Sequence, residues 1–142
     1  MKKISGLDCI LLVDDDDATN FIHQMVIQRL NLDVKLQVVH NGKEALEYLT
    51  CTGKFTNEIP FPQPGIVFLD INMPIMNGWE FLEEYKKLSK EQKAKIVIAM
   101  LTTSVNPDDE KKAKNSNEIL EFINKPLEEA SLELLIMKYY RR

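Results

Sequence analysis

The chain reads as an α/β fold, a doubly wound parallel sheet of five strands in the order 2-1-3-4-5 with helices on both faces. Three observations predict it. Strand-like apolar runs alternate with helix-period runs five times over the 142 residues. Cys9–Val13, Ile66–Leu69 and Ile96–Leu101 are continuously apolar, as central parallel strands covered on both faces must be. Val34–Val39 partly alternates apolar with polar residues, and Ile119–Ile123 is short and interrupted by Glu121, so these two fall at the edges. Right-handed crossovers then place strand 1 between strands 2 and 3, with 4 and 5 beyond.

The helices follow in order. Ala18, Phe21, Ile22, Met25, Val26 and Leu30 recur at helical spacing, and Asp16 and Asp17 suit the N-cap and first turn of that helix. Asn41-Gly42 introduces a second helix carrying Ala45, Leu46 and Leu49. A third carries Gly78, Phe81, Leu82, Tyr85 and Leu88, and a shorter polar fourth spans Pro107 to Lys114. The last shows Leu132, Leu135, Ile136 and Tyr139, with Glu128 and Glu129 at its start and Lys138, Arg141 and Arg142 at its end, the charge order that complements a helix dipole. Between the second helix and third strand, Thr50 to Gly65 holds three prolines and two glycines and cannot be a continuous helix; it reads as a surface connection.

Composition bounds the function. With 44% hydrophobic and 28% charged residues, residues 1–142 are expected to form one soluble domain with its own core. A net charge of −4 argues against a nucleic-acid surface, and no apolar run reaches the length of a membrane span. Cys9 and Cys51 lack metal-type spacing and read as free thiols, which with the lack of a signal-peptide core predicts a cytoplasmic protein. His23 and His40 have no partners at ligand or triad spacing and read as structural or exposed.

The chemistry lies at the ends of the strands. Asp14-Asp15 follow strand 1, Asp70 follows Phe68-Leu69, Thr102 follows strand 4, and Lys125-Pro126 follow strand 5. Each alone reads as a turn or a helix cap. In the order 2-1-3-4-5 all fall at one edge of the sheet, where open α/β folds build their sites. Unit charges about 4 Å apart repel by roughly 1 to 4 kcal/mol, depending on the effective dielectric. A hard dication with oxygen ligands, or an ammonium such as Lys125, relieves that repulsion. An aspartate so placed is a competent phosphoryl acceptor.

The segments ILLVDDD at 10–16, FLDINMP at 68–74 with NG at 77–78, LTTS at 101–104 and INKPL at 123–127 resemble the receiver domain of two-component response regulators, a flavodoxin-like fold. The resemblance runs over essentially the whole chain. It implies that Asp70 is phosphorylated, and that Asp14, Asp15 and Asp70 hold Mg²⁺ with the backbone carbonyl of Asn72. It further implies that Thr102 is the switch hydroxyl, Lys125 the phosphate-pairing lysine and Phe122 the aromatic switch position, and that the Lys125-Pro126 peptide is cis. The implied partners are a sensor histidine kinase or a histidine phosphotransfer protein. The output partner is unidentified and is expected at the face of helix 4, strand 5 and helix 5, where Lys111, Lys112, Lys114 and Tyr139-Tyr140 would lie. The expected protein is a stand-alone signalling phosphoacceptor, not an enzyme acting on other substrates, with output by partner binding or onward phosphotransfer and no nucleic-acid or membrane partner. Thr103 departs from the small residue common at its position. Two other classes remain open here. A haloacid-dehalogenase-type phosphatase would draw on the Asp-x-Asp spacing within 14–17 but leave Asp70 unexplained. A flavodoxin-like cofactor binder would need a phosphate loop after strand 1, which is not seen.

Overall fold

The structure, a computed structural model, describes residues 2–55, 63–93, 96–103 and 106–140. Ser104, Arg141, Arg142 and the stretch 56–62 of the long connection lie outside them. Strands β1 (Cys9–Val13), β2 (Lys35–Val39), β3 (Ile66–Asp70), β4 (Val97–Thr102) and β5 (Ile119–Asn124) form one sheet in the order β2-β1-β3-β4-β5, every pair parallel. Helices α1 (Asp17–Arg29), α2 (Gly42–Thr50), α3 (Gly78–Tyr85), α4 (Pro107–Lys114) and α5 (Glu129–Tyr140) connect and cover the strands, with one further helical turn at Lys90–Lys93. None of the described helices is long and apolar enough to cross a membrane.

Because strand side chains alternate, the central strands feed two cores. Leu11, Val13, Val67, Leu69, Ile98 and Met100 pack with α2 and α3 through Ala45, Tyr48, Phe81 and Tyr85. Ile10, Leu12, Ile66, Phe68 and Ala99 pack with α1 and α5 through Ile27, Leu132 and Leu135. Cys9 is buried in the first core and Cys51 is exposed, both as free thiols.

Four local features depart from a regular reading. The helix α1 is where the periodicity put it, with Asp16 as N-cap, yet its face is turned: Phe21 and Ile22 are 63% and 48% exposed, while Asn20, His23, Val26 and Ile27 are buried. Polar residues go inside because they find backbone partners there, the Asp14 carbonyl and the Leu127 N–H. The helix α3 stops at Tyr85, so Leu88 reaches the first core from the following turn. The connection after α2 begins with a 3₁₀ turn at Gly53–Phe55 that buries Phe55 edge-on against Tyr48, ring centroids 5.1 Å apart. In β5, Ile119 pairs with Ile98 and Glu121 with Ala99, leaving Leu120 as a bulge. The extra residue resets the alternation, so Ile119 and Phe122 both face the first core.

The helix α4 is polar and buries only Ala113. Trp79 on α3 clasps it: its indole N–H donates to Asp109 at 3.3 Å, and Lys112 Nζ lies 5.1 Å from the ring centroid.

Ile75, in the loop between β3 and α3, has φ +67° and is 77% exposed. A β-branched side chain is strained there, and nothing packed is lost by removing it. Ile75→Gly is expected to stabilise the chain by about 1 kcal/mol, seen as a raised urea midpoint.

Candidate functional site

The ends of β1, β3, β4 and β5 each deliver part of the site. Asp14 follows β1 directly and is buried; its Oδ1 accepts from the Asp16 N–H at 2.9 Å, and its own N–H donates to the Val39 carbonyl at 3.1 Å. Asp15 beside it is exposed. Asp16 caps α1 by accepting from the Thr19 N–H at 3.3 Å, so the run of four aspartates divides into two site residues, a cap and a first-turn charge. Asp70 is the last residue of β3, and Thr102, buried, is the last of β4. Lys125 follows β5, its backbone N–H donating to the Thr102 carbonyl at 2.9 Å, and the Lys125-Pro126 peptide is cis.

Glycine is needed at one point of this frame. A Cβ at Gly78, the start of α3, would stand 2.4 Å from the Asp70 carbonyl oxygen. Its N–H donates to the Ile71 carbonyl at 2.8 Å, and a capping box between Asn77 and Glu80 fixes the helix start beside it.

The side chains converge. Carboxylate oxygens of Asp14, Asp15 and Asp70 lie within 4.8 Å of one another. Lys125 Nζ donates to Asp14 Oδ2 at 2.6 Å and lies 3.1 Å from Asp70 Oδ1, with 13% of its side chain exposed. Burial, and after it the Asp14 charge, pushes the Asp70 carboxyl above its ordinary value, the lysine only partly offsetting them. For Lys125 burial works downward, but the bond to Asp14 and the charge of Asp70 outweigh it and hold the ammonium above its ordinary value. One cation serves two carboxylates and sits nearer Asp14, so Asp70 is left undercompensated. With three carboxylates against one ammonium, three minus one leaves two negative charges. An oxygen-only donor set with that residual charge fits a hard dication.

Asn72 is exposed two residues beyond Asp70. Phe122 is partly buried against the first core, in register with Met100, and so shares a face with Thr102 two residues along β4. His40 is exposed between Asp17 and Glu44. His23, read from the sequence as structural or exposed, is buried next to the site, and Asn20, which that reading passed over, is buried beside it. Their spacing with Ile27 (i, i+3, i+7) is a helix-face row, the one signal that would have exposed them.

Fold and site together define a receiver. The family model for the response regulator receiver domain matches residues 10–137, and the chain belongs to that family. It is 34% identical over 100 residues to response regulator Rcp1 of Synechocystis sp., covering 70% of this chain and 65%, just under two thirds, of that protein. A two-component response regulator from Cytophaga hutchinsonii superposes with a TM-score of 0.81 at 32% identity, covering 97% of this chain and 98% of that one. The Mn²⁺-bound form of Rcp1 superposes with a TM-score of 0.74 at 27% identity, covering 93% of both chains.

Proposed function

We propose that this receiver accepts a phosphoryl group on Asp70 from a phosphohistidine of a sensor histidine kinase or a phosphotransfer protein. The observation that carries the reading is the buried Lys125 ammonium set between Asp14 and Asp70, beside a third carboxylate at the sheet edge. An Asp70 oxygen attacks phosphorus, the P–N bond breaks with its electron pair going to nitrogen, and the donor ring, already protonated on its other nitrogen, leaves as neutral imidazole. Attack of water on phosphorus later breaks the new P–O bond and returns the carboxylate. The chain thus acts as a signalling phosphoacceptor, turning over only its own phosphoryl group. Lys125 offsets charge on the transferring group, and the Thr102 hydroxyl meets one of its oxygens.

Asp14, Asp15, Asp70 and the Asn72 carbonyl would hold Mg²⁺. That ion, when bound, supplies charge neutralisation at the phosphoryl oxygens. The Mn²⁺-bound relative and the residual charge of the cluster support this.

Thr102, drawn toward the phosphoryl group, frees space beside β5 into which the Phe122 ring turns. Their shared face supports that coupling. The ring carries no hydroxyl that needs a partner when buried, so it favours the inward position. Output follows by partner binding at the face of α4, β5 and α5, or by onward phosphotransfer, in the cytoplasm. The test is incubation with acetyl phosphate and Mg²⁺. Intact mass should show a single phosphoryl group, with amide shifts spreading from Asp70 to α4 and β5. No mass gain sinks the acceptor assignment; shifts confined to the Asp70 pocket sink the switch.

A further inference from the structure

Two buried polar side chains on one face of α1 lie under the acidic cluster, and the phosphoryl chemistry gives them no part. Asn20 Nδ2 donates to the Asp14 carbonyl at 2.9 Å, and His23 Nε2 accepts from the Leu127 N–H at 3.2 Å. One helix row therefore grips both loops of the site, the one carrying Asp14 and Asp15 and the one carrying Lys125.

The grip on the second loop is close to the ammonium. Lys125 is bonded through its N–H to Thr102, residue 126 is proline and has no N–H, and Leu127, 1% exposed, gives its N–H to His23. The three-residue span is thus pinned at both ends. Without an acceptor at His23 the Leu127 N–H becomes a buried, unsatisfied donor, and the loop has to move to hydrate it. The imidazole suits the task. Burial, and then the Lys125 charge, holds it below its ordinary pKa, so at neutral pH Nε2 keeps its lone pair and the proton stays on Nδ1.

We propose that His23 is a positioning residue for Lys125, fixing through the Leu127 amide the loop that sets the ammonium between Asp14 and Asp70. Its functional consequence rests on the phosphoacceptor reading above. A histidine that merely filled space would be replaced equally well by any side chain of its size.

His23→Leu keeps the bulk and removes the acceptor, while His23→Gln puts an amide oxygen where Nε2 stood; His23→Met replaces the leucine variant should that not fold. With acetyl phosphate and saturating Mg²⁺, the maximal phosphorylation rate should fall about tenfold in His23→Leu, the scale expected of a misplaced charged group. Mg²⁺ affinity and the half-saturating donor concentration should stay unchanged, and His23→Gln should recover the rate. A wild-type rate in His23→Leu, or a glutamine variant as slow as the leucine one, overturns the proposal. The hydrogen exchange of the Lys125 ammonium, followed by NMR without any donor, is read in parallel. It should quicken in His23→Leu and not in His23→Gln, and equal exchange in all three chains also overturns it. A wild-type chain that takes no phosphoryl group while its exchange follows the expected order overturns the acceptor reading alone.

Discussion

Replacing Asp70 with asparagine is expected to abolish phosphorylation by acetyl phosphate while making the metal-free fold more stable. The amide keeps the shape of the side chain and removes the nucleophilic oxygen, so no phosphoryl mass should appear. The stability gain follows from the direction in which Asp70 titrates. Burial and Asp14 raise its pKa in the folded chain, so the folded state holds the proton to higher pH than the unfolded state does. Across that window stability falls as pH rises, and at neutral pH the ionised carboxylate is a net cost. Asp70→Asn removes the cost. Thermal melts in EDTA at pH 7 should show a rise of a few degrees, and a lower melting temperature would contradict the electrostatic account of the site. Labelling of the asparagine chain equal to wild type would contradict the acceptor assignment.

Lys125→Met should produce the opposite pattern. Methionine fills much of the volume but leaves Asp14 and Asp70 facing each other, both nearly buried, with no cation between them. Removing one partner of a buried pair typically costs about 3 kcal/mol or more. Protonation of Asp70 relieves part of this, so the deficit should shrink as pH falls toward 5. Mg²⁺ should restore stability by mass action, and to a greater degree than in wild type, where lysine already supplies one of the charges. Urea unfolding with EDTA and with Mg²⁺, at both pH values, separates the contributions. The variant is also expected to accept phosphate slowly and to show none of the amide shifts at α4 and β5. A Mg²⁺-independent, pH-independent stability equal to wild type would mean that Lys125 does no more than begin the turn into α5.

The strand order was legible because burial on both faces leaves long apolar runs, and because edge strands must admit polar residues such as Lys35, Gln37 and Glu121. That Asp14, Asp15, Asp70, Thr102 and Lys125 stand at one edge of the sheet followed from that order, since parallel strands end on one side. Three things were not legible. The face of α1 was hidden, because periodicity counts apolar residues and this helix buries Asn20 and His23 on backbone partners that only tertiary structure supplies. The bulge at Leu120 was hidden because a one-residue change of register leaves no trace in composition, yet it decides which way Phe122 faces. The tuck of Phe55 against Tyr48 joins residues on either side of the end of α2, and a segment rich in proline and glycine gives no hint of a buried aromatic.

The Trp79 clasp bears on how the proposed output face works. An element's resistance to local opening scales with the apolar surface it buries, and α4 contributes Ala113 alone. Apolar burial therefore holds it lightly, and the Trp79 indole adds a hydrogen bond to Asp109 and a cation contact with Lys112. Where an element buries so little, small free energies suffice to redistribute its populations. A partner gripping α4 would then draw on a ready supply of alternative positions instead of working against a rigid wall. The only tryptophan in the chain sits at that contact, so the molecule carries its own optical gauge of how far α4 has come away.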